Sequence, residues 1–132
     1  MVSGLAMMNH QRMGQIATWF CVAMLIVLSL VPGSERPHTG LAGQWEHFMA
    51  YAGTGVMATL AYRRALWTVL GLGLLSSALE ILQNLVPGRG PAIMDAVFGT
   101  VGGAAGAAIA VLMAMAIANS PGLRKRRAWR DR

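Results

Sequence analysis

Charge is scarce in this chain of 132 residues: 12% of them are charged and only five are Asp or Glu, against about 25% charged in ordinary soluble domains. Cysteine is scarcer still. The single Cys21 excludes an intrachain disulfide scaffold, and inside an apolar run its thiol is expected to pack rather than react. Histidine occurs three times, never in an HExxH pattern, because Tyr51 stands four residues after His47. His10 and His38 fall in other segments, and no serine has an obvious adjacent base. A zinc-protease motif and a serine-hydrolase motif are therefore missing. No strand precedes "GTVGGAAG", so this glycine run is not a dinucleotide loop. No cofactor and no metal set is expected.

Apolar residues are abundant: 55% of the chain is hydrophobic, against about 45–50% in soluble domains. With 16 glycines, which membrane helices use freely, this points to a bilayer protein. Four apolar runs stand at about 15–31, 45–61, 67–86 and 92–118. A crossing takes about 20 residues. The first two runs are short, the third fits and the fourth is long enough to tilt or protrude. Pro32-Gly33, Arg63-Arg64, "VPGRGP" and Pro121-Gly122 separate or end them, by fixing φ and removing donors at the prolines. Trp45, Tyr62 and Trp67 sit at run ends, where amphipathic rings favour the interface. The first run follows Arg12 but has no small-x-small cleavage site after it, so a retained helix is expected rather than a signal peptide.

The chain is thus expected to be an all-α membrane protein: four transmembrane helices in a compact bundle. A leading segment 1–14 precedes the membrane domain 15–118, and a basic tail 119–132 follows it. Placing the N-terminus inside puts nine Lys and Arg on the inner side (Arg12, Arg63, Arg64 and six in the tail) and leaves Arg36 and Arg89 outside. The positive-inside rule then predicts N-in and C-in, with the loops 32–44 and 87–91 facing outward. A multi-pass membrane protein with both termini in the cytoplasm is the expectation. The tail cations are read as a topology signal beside anionic lipid. No nucleic-acid partner is expected, because only Trp129 interleaves with them and no binding fold presents them.

Polar groups interrupt these runs at helical spacing. Ser76, Glu80 and Gln83 fall at i, i+4 and i+7 on the third run; His47, Tyr51 and Thr54 share a face of the second. Asp95 leads a stripe of Gly99, Gly102, Gly103 and Gly106 on the fourth, whose small-xxx-small pairs let helices approach closely. An unpaired charge at the membrane centre costs at least about 2.5–3.5 kcal/mol, so Glu80 has to be neutral, paired or wet. Glu46, His47, Tyr51, Glu80, Gln83, Arg89 and Asp95 are predicted to line one outward-facing polar pocket.

"WEHFMAYAGTG" and "ALEILQNLVPGRGPAIMDAVFGTVGGAAG" resemble the VanZ-like family of small bacterial membrane proteins. The family's His-Phe-x-x-Tyr is met by His47, Phe48 and Tyr51. Its Glu-x-x-Gln and Pro-x-Arg turn are met by Glu80, Gln83, Pro87 and Arg89, and its Asp before a Gly-rich helix by Asp95, Gly102 and Gly106. Two features depart from the pattern. Gly43-Gln44-Trp45-Glu46 stands where many members carry Asp-Lys, and Gly99 stands where many have Asn. The likeness spans about 28–110. It implies a cell-envelope setting and, through the family's namesake, a link to resistance against teicoplanin, a lipophilic glycopeptide antibiotic.

The favoured expectation is a pocket that binds a membrane lipid head group, a cell-wall precursor lipid or a glycopeptide. Arg89 would contact phosphate or carboxylate, and the carboxylates would accept from sugar or amine groups. One alternative is a membrane-embedded hydrolase or transferase using Glu80, His47 and Asp95 as acid and base. The other is a small proton-coupled transporter, for which a homo-oligomer would supply more wall.

Overall fold

The computed structural model describes residues 2–32, 40, 43–86 and 93–120. They form four helices and no strand: α1 (Val2–Leu30), α2 (Gly43–Tyr62), α3 (Ala65–Gln83) and α4 (Ile93–Ala118). Helix α1 begins well before the apolar run at residue 15, because nothing from Val2 onward breaks it: no proline precedes Pro32. The polar stretch around His10 and Arg12 therefore continues the same rod.

Three helices are long and apolar enough to cross a bilayer: α1 over Asn9–Leu30, α3, and α4. Helix α2 has the length, at 20 residues, but is too polar to join them by composition. Its polarity is turned inward. His47, Tyr51, Thr54, Gly55, Ala58, Thr59 and Ala61 are its buried residues, while Trp45, Met49, Leu60 and Tyr62 lie on its exposed side. A helix at the centre of a bundle needs small and hydrogen-bonding residues inside and apolar ones only where it meets lipid. The other helices follow the same inverted pattern. Trp19, Phe20, Leu74, Leu112 and Met115 are exposed, whereas Ser29, Thr68 and Ser76 are buried. So large an apolar surface is what a bilayer covers.

Helix α2 packs most extensively on α4, and α3 also packs on α4. Helix α1 touches α2 and α3 but, among the described residues, not α4. Glycine sets the closest crossing. A Cβ at Gly102 or Gly106 would collide with the backbone carbonyls of Phe48 and Ala52, and one at Gly55 would stand 2.5 Å from the Gly103 carbonyl oxygen. The stripe is two-sided: Gly102 and Gly106 face α2, while Gly99 and Gly103 face Ser76 and Leu72 of α3.

Helices α2 and α3 form an antiparallel hairpin through two residues, Arg63 and Arg64. Arg63 adopts φ 54°, the left-handed conformation that ends many helices, and its N–H donates to the Thr59 carbonyl at 2.8 Å. The bundle therefore has two distinct ends. At one, Gly14 packs beside Ala61 and Trp19 Nε1 donates to Tyr62 Oη at 2.9 Å, next to Arg63, Arg64 and the close of α4. At the other, α2 and α4 begin and α3 finishes.

Candidate functional site

Three helices carry polar side chains to that second end. Helix α2 places His47 and Tyr51 one turn apart on its buried face; their rings stack with centroids 6.4 Å apart and planes at 27°. His47 Nε2 lies 3.4 Å from Asp95 Oδ2 in the first turn of α4. Tyr51, at 1% exposure the most deeply buried large side chain, shares a hydrogen bond with the Ser76 hydroxyl of α3 and lies within electrostatic reach of Glu80. Ser76 Oγ in turn donates to the Ala96 carbonyl of α4 at 3.3 Å. The chain Asp95–His47–Tyr51–Ser76–Ala96 thus leaves α4, crosses α2 and α3, and returns to α4.

Glycine makes room for it. A Cβ at Gly99 would collide with Ser76 Oγ and would stand 3.3 Å from the edge of the Tyr51 ring. The space that a side chain at position 99 would fill is occupied here by the Ser76 hydroxyl. Glu80 and Gln83 follow Ser76 along the same face of α3 and are buried at 7% and 3% exposure. Glu80 stands three residues before the end of α3, about 5 Å deep at 1.5 Å per residue. The cluster is therefore at the end of the bundle, not at its middle. Both acids of the helix starts, Glu46 in α2 and Asp95 in α4, gain from the positive pole of their own helices.

Of the seven pocket residues expected from sequence, His47, Tyr51, Glu80 and Asp95 come together through these contacts, with Gln83 buried one turn beyond Glu80. Glu46 is half-buried in the first turn of α2. Arg89, with the whole turn 87–92, lies outside the described residues. Ser76 emerges as the link between Tyr51 and α4. Its place four residues before Glu80 already put it on the right face.

An aromatic group not foreseen from sequence flanks the cluster. Trp45 meets Phe48 and Phe98 edge-on, at centroid distances of 5.9 and 5.7 Å. Phe98 follows Asp95 by one helical turn, which was its only signal. Trp45 is 54% exposed, so this group stands where the polar interior meets its surroundings. Among the described residues no three His, Cys, Asp or Glu side chains gather as a metal site would require.

The arrangement can accept hydrogen bonds and balance charge. Carboxylates on α3 and α4 bracket an imidazole and a phenol on α2, inside a bundle whose outer surface is apolar. No curated protein and no solved structure matches the chain. The family model described as VanZ/LLP1 matches residues 6–114, a span that takes in all of α2 and α3 and the polar residues just described. The chain therefore belongs to the VanZ-like family.

Proposed function

We propose that this VanZ-like membrane protein binds the polar head of an envelope amphiphile, a lipid, cell-wall precursor lipid or lipophilic antibiotic, at the end of the bundle where α2 and α4 begin. The observation that carries the reading is the contact of His47 with Asp95 and of Tyr51 with Ser76 inside an apolar bundle. Groups of this kind are expensive away from water unless partnered, and intramembrane helix–helix hydrogen bonds average only about 0.6 kcal/mol. A purely structural clasp would need fewer of them. In this reading Arg89, whose side chain carries the fixed positive charge the head group needs, contacts its phosphate or carboxylate. The Trp45, Phe48 and Phe98 rings receive the start of the apolar tail. The protein lies in a bacterial cytoplasmic membrane with both termini inside, so the site opens outward.

The test is mass spectrometry of lipids that co-purify with the full chain, wild type against Arg89→Ala. Loss of one charge-assisted contact should reduce recovery of the bound amphiphile about tenfold or more. Equal recovery from both would sink the proposal. A second reading, a membrane-embedded hydrolase or transferase, draws on the His47–Asp95 contact, which could orient an imidazole as a base. It requires turnover of the recovered amphiphile that disappears in His47→Gln while binding remains.

A further inference from the structure

The opposite end of the bundle carries a second, independent feature. Two open apolar grooves flank the Arg63–Arg64 hairpin. One, of about 440 Å³, runs between α1, α2 and α3 and is lined by Trp19, Tyr62, Arg64, Trp67 and Leu75 among others. The other, of about 600 Å³, runs between α2, α3 and α4 and is lined by Thr59, Arg63, Ala65, Ala114 and Met115 among others. Both volumes fall within the usual range of ligand sites, about 300–1,000 Å³. Each groove has one arginine at its head and apolar walls below it.

Three further facts point to an anion between the two. Among the described residues neither Arg63 nor Arg64 has an acidic partner. Helix α3 starts at this point with Arg64 as its N-cap and no side-chain hydrogen bond to its first N–H groups. Those donors and the helix dipole favour a phosphate oxygen. Finally, Thr59 lines the larger groove beside Arg63, is 5% exposed, and its Oγ1 has no hydrogen-bond partner. A threonine in a helix ordinarily satisfies itself on the carbonyl four residues back, as Thr54 and Thr100 do. Thr59 makes no such bond, and its hydroxyl is left unsatisfied beneath the groove wall.

We infer that the hairpin is a binding site for one anionic glycerophospholipid, with its phosphate over Arg63, Arg64 and the start of α3 and its two acyl chains in the two grooves. The charge complementarity selects an anionic over a zwitterionic head group. The paired grooves select a two-chain lipid over a free phosphate. This site is at the end of the bundle away from His47 and Asp95 and does not depend on the function proposed for them.

Native mass spectrometry of the full chain, offered equimolar phosphatidylglycerol and phosphatidylethanolamine, tests it. The wild type should retain phosphatidylglycerol preferentially. The double variant Arg63→Gly, Arg64→Gln keeps the left-handed turn and removes both charges; it should lower that preference about thirtyfold, at the usual strength of a basic residue beside anionic lipid. An unchanged preference would assign the lipid to the basic tail and overturn the inference. So would its loss in Arg89→Ala alone, which would assign it to the other end. Should the double variant not fold, the wild-type site is read with brominated acyl chains in a Trp45→Phe, Trp129→Phe background. Trp19 and Trp67 line one groove, so brominated phosphatidylglycerol should quench them more strongly than brominated phosphatidylethanolamine; equal quenching would refute the site.

Discussion

Arg63 bears a cost that its side chain does not relieve within the described residues. A non-glycine residue at φ 54° sits in the region where Cβ crowds the following carbonyl, at about 1–2 kcal/mol. Arg63→Gly should therefore raise stability by about 1 kcal/mol, read as a higher melting temperature by circular dichroism in detergent, even while it weakens lipid retention. Stability and binding would then move in opposite directions at one residue, as strain at a functional position requires. Tyr51 is the complementary case. Tyr51→Phe keeps the ring against Gly99 but removes the hydroxyl that bonds Ser76. The expected loss is about 1 kcal/mol, the net value of one such bond. No change in the thermal unfolding midpoint would mean that the Tyr51–Ser76 link contributes nothing to the fold.

At the level of helices, the same residue type has opposite consequences according to what it faces. Gly106 lies against the Ala52 carbonyl, whereas Gly53 has nothing within 4 Å of its would-be Cβ. Gly106→Ala should destabilise by about 1–3 kcal/mol, because backbone must move. Gly53→Ala should be neutral or stabilising by up to about 1 kcal/mol, because only helix propensity changes. Unfolding midpoints of the two purified variants decide it. The stripe Gly99, Gly102, Gly103, Gly106 was visible in the sequence as a packing face, since spacing alone fixes which residues share a side. Its division into a pair facing α2 and a pair facing α3 was not visible, because periodicity names a face and never its neighbour. The apolar runs likewise marked α1, α3 and α4, and the i, i+4 spacing aligned His47 with Tyr51 and Ser76 with Glu80. The meeting of Trp45 with Phe98 joins residues far apart in the chain through the α2–α4 crossing. Nothing local encodes that crossing except the glycines that permit it. The start of α1 at Val2 was hidden for another reason: hydropathy marks where lipid begins, and a helix can extend beyond it.

For the molecule as a whole, the decisive element is α2, the helix whose composition least resembles a membrane span and whose position is most internal. A 20-residue helix is about 30 Å long at 1.5 Å per residue, the thickness of the hydrocarbon core. Its length is sufficient, and its polar residues are covered by α3 and α4 rather than by lipid. Its outward residues, Trp45, Met49, Leu60 and Tyr62, suit a crossing, with aromatics near both ends. If α2 crosses, its two ends lie on opposite sides of the membrane. The cations at one end, Arg12, Arg63 and Arg64, then set the direction. The measurement uses a Cys21→Ala background, into which Gln44→Cys and Arg64→Cys are introduced one at a time; both positions are exposed on the bundle. A membrane-impermeant maleimide added to intact cells, with the outer envelope opened, should label position 44 at once. It should reach position 64 only after the cytoplasmic membrane is permeabilised. Labelling of both from outside would mean that α2 does not cross, and would overturn the outward opening proposed for the site built on His47 and Asp95. Labelling in the reverse order would place the Arg63–Arg64 hairpin in the outer leaflet, away from the anionic lipid of the cytoplasmic face, and would turn the polar cluster toward the cell interior.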